Sequence, residues 1–152
     1  MANQPEETDI FQRDPRGKIL PTIENFYRFC RQKKLMGVKC RRCGAVSVLP
    51  RTICSKCQSV KMGWIKLKGT GRLLSYSIVH VSTAEYQAQT PYVVGIVELE
   101  EGARLSGVVR DVKHEDLKVG LNLVVDFENS NSEEWPRWPR YFFRVSDSPK
   151  MT

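Results

Sequence analysis

The sequence lacks any apolar run long enough to cross a membrane. Its longest clearly apolar stretch, residues 92–97, is far shorter than the roughly 20 residues that a spanning helix needs. The first residues are polar and acidic, whereas a signal peptide begins basic and continues apolar. Hydrophobic residues make up 41% of the 152 positions, which is typical of a globular protein. We therefore expect a soluble, cytoplasmic protein.

Motifs of common enzyme classes are also missing. The chain has no Gly-x-Ser-x-Gly elbow, no P-loop and no Gly-x-Gly-x-x-Gly, and it contains only two histidines, His80 and His114. His80 lies in a predicted strand, which favours a packed or surface histidine over a general base, and His114 lies in an acidic turn. Cys30 falls on the apolar face of a predicted helix, which favours a buried thiol over a nucleophile. The sequence therefore predicts a protein that is not an enzyme by itself.

Four of the five cysteines form two Cys-x-x-Cys pairs, Cys40/Cys43 and Cys54/Cys57, with ten residues between them. Two such pairs supply the tetrahedral four-sulfur shell that Zn²⁺ favours. Gly44 suits the left-handed conformation that often closes such a turn. Two disulfides or an iron site are the alternatives, although disulfides are typical of oxidising compartments. Because four thiolates leave no open coordination position, we predict one structural zinc per chain.

Acidic residues are scarce in the stretch 21–72. It holds thirteen lysines and arginines and one acidic residue, while the whole chain has a net charge of +7. Part of this charge is offset locally, because Zn²⁺ with four thiolates carries a formal charge of −2. The remainder predicts an anionic partner, which is nucleic acid, a phosphorylated cofactor or an acidic protein surface.

The N-terminal part of the chain shows two patterns. Residues 1–21 mix charges and prolines without a period and are predicted to form a flexible tail, either disordered or lying against another element. Residues 22–36 are predicted to form an amphipathic helix with Thr22 as its N-cap. Its apolar stripe, which favours core packing over a ligand platform, is made of four side chains: Ile23, Phe26, Tyr27 and Cys30.

The rest of the chain has β patterns. A zinc ribbon is predicted at residues 37–68 and a second domain at residues 69–147. The strand-like segments of that domain are 72–81, 92–99, 104–109, 121–128 and 141–145. Three meandering strands, a short helical connection at residues 114–117 and two more strands follow the order of an OB-fold barrel. The predicted fold class is therefore mainly β, with an N-terminal helix, a zinc ribbon and a five-stranded OB-fold barrel.

A long connection in the barrel, residues 129–140, carries Trp135 and Trp138 interleaved with arginines. Connections at this place line the usual binding face of an OB fold. The two indoles are candidates for stacking on a base or an adenine, or for anchoring a protein interface. The alternative is that they plug one end of the barrel.

Taken together, these features resemble the acyl-CoA-associated zinc-ribbon/OB-fold family known as domain of unknown function thirty-five. The resemblance covers residues 26–145, and its most specific features are Phe26-Tyr27, Pro50-Arg51 before the second cysteine pair, and Gly69-Thr70-Gly71 leading to Ser75-Tyr76. It implies a rubredoxin-like ribbon and a role as accessory subunit of a thiolase-like enzyme, such as acetoacetyl-CoA thiolase or hydroxymethylglutaryl-CoA synthase. It also implies that acyl-CoA is handled near the junction of ribbon and barrel.

Coenzyme A carries a 3′-phosphate, a pyrophosphate and an adenine at one end, so its site needs cations beside a flat aromatic surface. Tyr27 and Trp138 are the candidate adenine surfaces. The candidate phosphate contacts are four basic residues in the helix and the ribbon: Arg31, Lys33, Lys34 and Arg42. The alternative is that these cations only solubilise the helix and balance the thiolate cluster.

A different class of function is also compatible with these patterns. Ribbons and OB folds both occur in nucleic-acid-binding proteins, and the basic stretch suits a phosphate backbone. Against this, the predicted barrel has a net negative charge, and its strands lack the outward aromatic ladder of single-strand binders. Nucleic-acid binding is therefore the alternative function.

Overall fold

The computed structural model describes residues 11–128 and 140–146. Within these ranges the chain forms an α-helix, then a three-stranded sheet and then a closed five-stranded barrel, which confirms the predicted fold class. The elements are α1 (Ile23–Arg31), β1 (Met36–Cys40), β2 (Val46–Ser47), β3 (Met62–Lys66), β4 (Thr70–Val79), β5 (Tyr92–Leu99), β6 (Arg104–Arg110), β7 (Asn122–Phe127) and β8 (Tyr141–Val145). No helix in the described ranges is long and apolar enough to span a membrane.

Helix α1 begins where the sequence predicts and ends earlier. The Thr22 hydroxyl caps it by accepting a hydrogen bond from the Asn25 N–H at 3.3 Å. The helix ends at Arg31, whereas the prediction extended it to residue 36. The reason is that Lys33 adopts a left-handed backbone, with φ of 58°, and its N–H donates to the Cys30 carbonyl at 2.9 Å. This turn closes the helix and sends the chain into β1.

The buried face of α1 is rotated relative to the predicted stripe. Phe26 is buried as predicted, but Ile23 is 40% exposed and Phe29 is buried in its place. The Phe29 ring lies 4.5 Å from the Phe11 ring and 5.1 Å from the Trp64 ring, measured between centroids. The predicted position of Ile23 is wrong because the segment before the helix and strand β3 together cover the neighbouring face.

Residues 11–21 pack against α1, which is the second of the two alternatives predicted for the tail. Asn25 is completely buried and joins the two ends of this segment. Its amide Nδ2 donates to the carbonyls of Gln12 at 2.9 Å and Leu20 at 2.8 Å, and its Oδ1 accepts from the Gln12 N–H at 2.9 Å. The segment has no sequence period because a buried polar side chain, rather than a repeating apolar face, holds it in place.

Strand β1 is the centre of the ribbon sheet, whose order is β2-β1-β3 with antiparallel pairing throughout. The pairing of β1 with β3 runs from Met36 opposite Lys66 to Cys40 opposite Met62. The Trp64 indole N–H in β3 donates to two carbonyls of the N-terminal segment, at 3.2 and 3.3 Å. The ribbon sheet is thus tied to residues 11–21 as well as to α1.

The barrel closes in the order β4-β5-β6-β8-β7, with β7 pairing back onto β4. All its pairs are antiparallel except β6 with β8, which is parallel. A tight hairpin joins β5 and β6, and in it the Gly102 N–H donates to the Leu99 carbonyl at 2.8 Å. Gly71 lies where β4 and β5 approach closely, and a Cβ there would be 2.3 Å from the Glu98 carbonyl oxygen. Only glycine therefore fits this position of the Gly-Thr-Gly motif.

One hydrophobic core joins the helix, the ribbon sheet and the barrel. Phe26 comes from α1, Val48 and Leu67 come from the ribbon region, and Leu73 and Phe143 come from barrel strands. Burial of this kind contributes about 25 cal/mol per Å² of apolar surface removed from water. The three parts therefore stabilise one another.

Candidate metal centre

Two tight turns bring the four predicted ligands together at one end of the ribbon. Strand β1 delivers Cys40, and the following turn is closed by Gly44, whose φ is +80° and whose N–H donates to the Cys40 carbonyl at 2.9 Å. The second turn repeats this arrangement: Gln58, with φ of 62°, donates its N–H to the Cys54 carbonyl at 3.0 Å. The left-handed position predicted for Gly44 is confirmed, and a non-glycine residue takes the same conformation in the second turn.

The four sulfur atoms have the separations of a tetrahedral thiolate shell. The Sγ atoms of Cys40 and Cys57 lie 3.5 Å apart, as do those of Cys43 and Cys54, and all four lie within 4.8 Å of one another. Metal–sulfur bonds of about 2.3 Å in tetrahedral geometry put neighbouring sulfurs about 3.8 Å apart. The donor set and its spacing therefore fit one metal ion.

The surroundings of the sulfurs favour thiolates at two of the four positions. The Cys43 backbone N–H lies 3.5 Å from the Cys40 Sγ and is the main cause that lowers the pKa of Cys40 to about 6. The backbone N–H groups of Cys57 and Lys56 likewise lower the pKa of Cys54. At Cys57 the Ser59 N–H acts in the same direction, but burial and the neighbouring thiols outweigh it and raise the pKa to about 11. A bound cation would convert all four to thiolates and release the remaining protons.

Cys30 stands apart from this cluster. Its side chain is 1% exposed and belongs to the hydrophobic core, and burial raises its pKa to about 12. A thiol in this environment is a small apolar side chain rather than a nucleophile or a ligand. Among the described residues, the four ribbon cysteines are the one group of His, Cys, Asp and Glu side chains arranged to hold a metal ion.

The residues predicted to contact CoA fall into two groups. Arg31 is half-buried at the end of α1, Lys33 and Lys34 are exposed directly after it, and Tyr27 is half-buried on the helix, where burial raises its pKa. Arg42 is exposed beyond the far end of β1, and the five residues of that strand span about 16 Å at about 3.3 Å per residue. Arg31, Lys33 and Lys34 thus precede β1, whereas Arg42 follows it.

The end of α1 faces strand β7 of the barrel. The pKa of the Asp126 carboxyl is lowered first by the Phe127 N–H, next by Arg144, whose Nε lies 3.1 Å from it, and also by the charge of Lys33. Lys33 therefore lies near the junction of helix and barrel. The predicted residues Trp135 and Trp138 lie outside the described residues.

A groove beside the metal centre was not predicted from the sequence. It has a volume of about 550 Å³, and its lining includes Lys39, Arg41, Arg42 and Trp64. A Cβ at Gly63 would lie 2.8 Å from the Arg41 Nε, so the missing side chain lets the guanidinium rest on the β3 backbone. The groove could have been predicted from two features of the sequence: Arg41 and Arg42 lie inside the first Cys-x-x-Cys turn, and Gly63 lies in the strand opposite.

Two family models match the chain. The rubredoxin-like zinc ribbon domain of ChsH2 matches residues 29–62, and the C-terminal OB-fold domain of ChsH2 matches residues 64–128. A DUF35 domain-containing scaffold protein of Methanocaldococcus jannaschii is 43% identical over 101 residues, which cover 66% of this chain and 69% of the relative. The chain belongs to the DUF35 family. The family predicted from the sequence is thereby confirmed.

This DUF35 chain is also similar to two proteins whose descriptions name an enzyme. It superposes on a chain of a solved structure described as the Ltp2-ChsH2(DUF35) aldolase, with a TM-score of 0.70 and 25% identity, covering 84% of this chain and 96% of that chain. It is also 25% identical over 135 residues to a probable enoyl-CoA hydratase alpha subunit of Thermomonospora curvata, covering 86% of this chain and 42% of the relative. The DUF35 chain therefore corresponds to less than half of that hydratase subunit.

Proposed function

We propose that this DUF35 protein is a non-catalytic accessory subunit that binds a thiolase-like enzyme and helps it to bind or transfer acyl-CoA. The observation that carries the proposal is the arrangement of the four ribbon cysteines. Their sulfurs lie within 4.8 Å of one another and would fill all four positions around a Zn²⁺ ion, and the described residues form no second cluster of potential metal ligands. A chain of this kind contributes binding surfaces to a reaction, and its partner contributes the reacting groups.

The relatives support the accessory role. The relative from Methanocaldococcus jannaschii is named a scaffold protein, and the similar solved structure is described as a DUF35 chain together with Ltp2 in an aldolase. The relative from Thermomonospora curvata is named a subunit of an enzyme for an acyl-CoA substrate. The choice of a thiolase-like partner rests on the resemblance of the sequence to the family.

We assign the metal as one structural Zn²⁺ held by the four ribbon cysteines: Cys40, Cys43, Cys54 and Cys57. The d electrons of Zn²⁺ impose no geometric preference, and structural zinc sites are almost always tetrahedral with four protein ligands. Four thiolates therefore complete its coordination without water. When bound, it crosslinks the two turns of the ribbon. Strand β1, which carries Cys40, also packs in the ribbon sheet against β3, so the metal centre and the ribbon sheet fold together.

For acyl-CoA we propose a site at the junction of helix and barrel, with its phosphates near Arg31, Lys33 and Lys34. Lys33 and Lys34 are exposed directly after α1, and the half-buried ring of Tyr27 on that helix offers an aromatic surface for adenine. Trp138 remains the other candidate for that surface. Arg42 lies too far along β1 to share one phosphate group with Lys33 and Lys34, so we exclude it from this site.

Loss of the two exposed lysines should weaken recognition of the 3′-phosphate. Calorimetric titration of the purified enzyme complex with CoA and with 3′-dephospho-CoA measures this directly. We expect the wild-type complex to prefer CoA about tenfold or more, because each charge-assisted phosphate contact contributes about 1.5–3 kcal/mol. Lys33→Ala/Lys34→Ala should abolish the preference, whereas Lys113→Ala/Lys118→Ala, which removes two exposed lysines of the barrel, should leave it intact. An unchanged preference in the first variant contradicts the phosphate assignment.

The accessory role itself is tested by affinity purification of the tagged full-length chain from an extract of its own source. We expect a thiolase-like enzyme subunit to elute with it in a fixed ratio. The basic stretch also suits nucleic acid, so the eluate is analysed for RNA and DNA by absorbance and nuclease treatment. An eluate dominated by nucleic acid would support the alternative function and contradict the accessory role.

A further inference from the structure

The far end of the ribbon exposes apolar side chains that the fold does not use. Eight large hydrophobic side chains are exposed in the described part of the chain, and three of them lie within residues 49–60. These are Leu49, Ile53 and Val60, which are 55%, 53% and 74% exposed. We call these three residues the ribbon tip. Single exposed apolar residues are ordinary, but a group of them on a small module indicates a contact surface.

Backbone hydrogen bonds fix part of the tip in a defined geometry. The Cys54 N–H donates to the Ser59 carbonyl at 2.9 Å. Ile53 precedes the donor and Val60 follows the acceptor, so these two residues flank the hydrogen bond that closes the second metal turn. Leu49 lies four positions before Ile53, directly after the buried Val48. Since the turn closes around the metal centre, the tip is pre-organised and loses little conformational freedom on binding.

The stretch of chain that carries the tip is basic and contains no acidic residue. Residues 25–84 contain no aspartate and no glutamate. Four exposed cations lie within this stretch of the chain or close to it in sequence, and we call them the rim: Arg42, Arg51, Lys56 and Lys61. None of the four forms an ion pair with any residue in the described ranges. Four thiolates with Zn²⁺ carry a formal charge of −2, so the region between Lys39 and Lys61, with six basic residues, keeps an excess of positive charge.

We propose that the ribbon tip inserts into an apolar pocket with an acidic rim on the enzyme subunit. This inference rests on the proposed function and specifies which surface of the accessory subunit meets the enzyme. Apolar anchors inside a charged rim are the usual anatomy of a specific protein interface, in which the centre provides affinity and the rim provides association rate and orientation. A nucleic-acid backbone would use the cations and leave the aliphatic side chains in water, so the combination of both favours a protein partner.

The experiment compares two tip variants with two matched barrel variants in binding to the purified enzyme subunit. Ile53→Ser/Val60→Ser removes tip anchors, and Val81→Ser/Val119→Ser removes two exposed valines of the barrel, which are 84% and 67% exposed. Lys56→Glu/Lys61→Glu reverses the rim, and Lys113→Glu/Lys118→Glu reverses exposed charges of the barrel. Metal content and melting temperature of every variant establish that the ribbon remains folded.

We expect Ile53→Ser/Val60→Ser to raise the dissociation constant about tenfold or more. Lys56→Glu/Lys61→Glu should lower the association rate constant about tenfold and make that rate constant less dependent on salt. The barrel variants should stay within about twofold of wild type. If the wild-type chain binds the enzyme subunit and the tip and barrel variants bind equally well, the tip inference is wrong and the accessory role stands. If the tip variants instead abolish a self-dimer or binding to RNA, the proposed occupant is wrong. If the wild-type chain binds no enzyme subunit, both proposals fail.

Discussion

Replacing Cys54 with serine is expected to remove the metal from the protein and unfold the ribbon. Cys54 is buried at 2% exposure, and its Sγ lies 3.5 Å from that of Cys43. A serine at this position leaves the metal with three sulfur ligands and one hydroxyl, which is a poorer ligand than a thiolate. Loss of a structural metal costs several kcal/mol, and a domain of this size loses about 2–4 °C of melting temperature per kcal/mol. We therefore expect the zinc content to fall from one equivalent to near zero and the melting temperature to fall by about 10 °C or more.

The fifth cysteine provides the matched control for this prediction. Cys30→Ala removes a thiol that belongs to the hydrophobic core and not to the group of four ribbon cysteines. It should retain one equivalent of zinc and lose about 1 kcal/mol or less from the small cavity. Metal analysis by mass spectrometry and thermal unfolding measure both variants. Full zinc content and unchanged thermal stability in Cys54→Ser would refute a structural metal centre.

Replacing Phe26 with alanine is the second change with a large expected effect. Its ring is 1% exposed and packs edge-on against Tyr27 at 5.4 Å and Tyr141 at 6.0 Å, between helix and barrel. Truncation of a buried phenylalanine costs about 3–5 kcal/mol, because the transfer free energy is lost and a cavity remains. We expect the free energy of unfolding in urea to fall by that amount.

Ile23 is the matched control, since it lies one helical turn before Phe26 and was predicted from the sequence to share its buried face. It is 40% exposed, so Ile23→Ala should cost about 1 kcal/mol or less. Equal losses in the two variants would show that the helix buries the predicted stripe after all. A loss confined to Phe26→Ala supports the rotated face found in the structure.

The parts of the fold that follow local rules were predictable. The two Cys-x-x-Cys turns need only nearby residues, and they come together with Gly44 in the expected left-handed conformation. The five barrel strands follow runs of β-branched and aromatic residues, and their bounds differ from the predicted ones by two residues or fewer. Thr22 caps α1 because the capping hydrogen bond spans only three residues.

Other features depend on contacts between distant residues and were missed. Residues 11–21 are held by Asn25, a polar residue that no hydrophobic period marks as buried. That packing in turn buries Phe29 and leaves Ile23 exposed, so the buried face of α1 differs from the predicted one. The separation of Arg42 from Lys33 follows from the position of β1 between them, and the sequence alone does not show whether that interval is extended or folded back.

The accessory role is tested most directly by the mass of the species that elutes when the tagged chain is purified from its own source. Light scattering coupled to size-exclusion chromatography measures that mass independently of molecular shape. The chain alone has a mass of 17.5 kDa. We expect a single complex whose mass equals whole numbers of this chain and of a thiolase-like enzyme subunit. A monodisperse species of 17.5 kDa with full zinc content, and no enzyme subunit in any fraction, would contradict the proposed function.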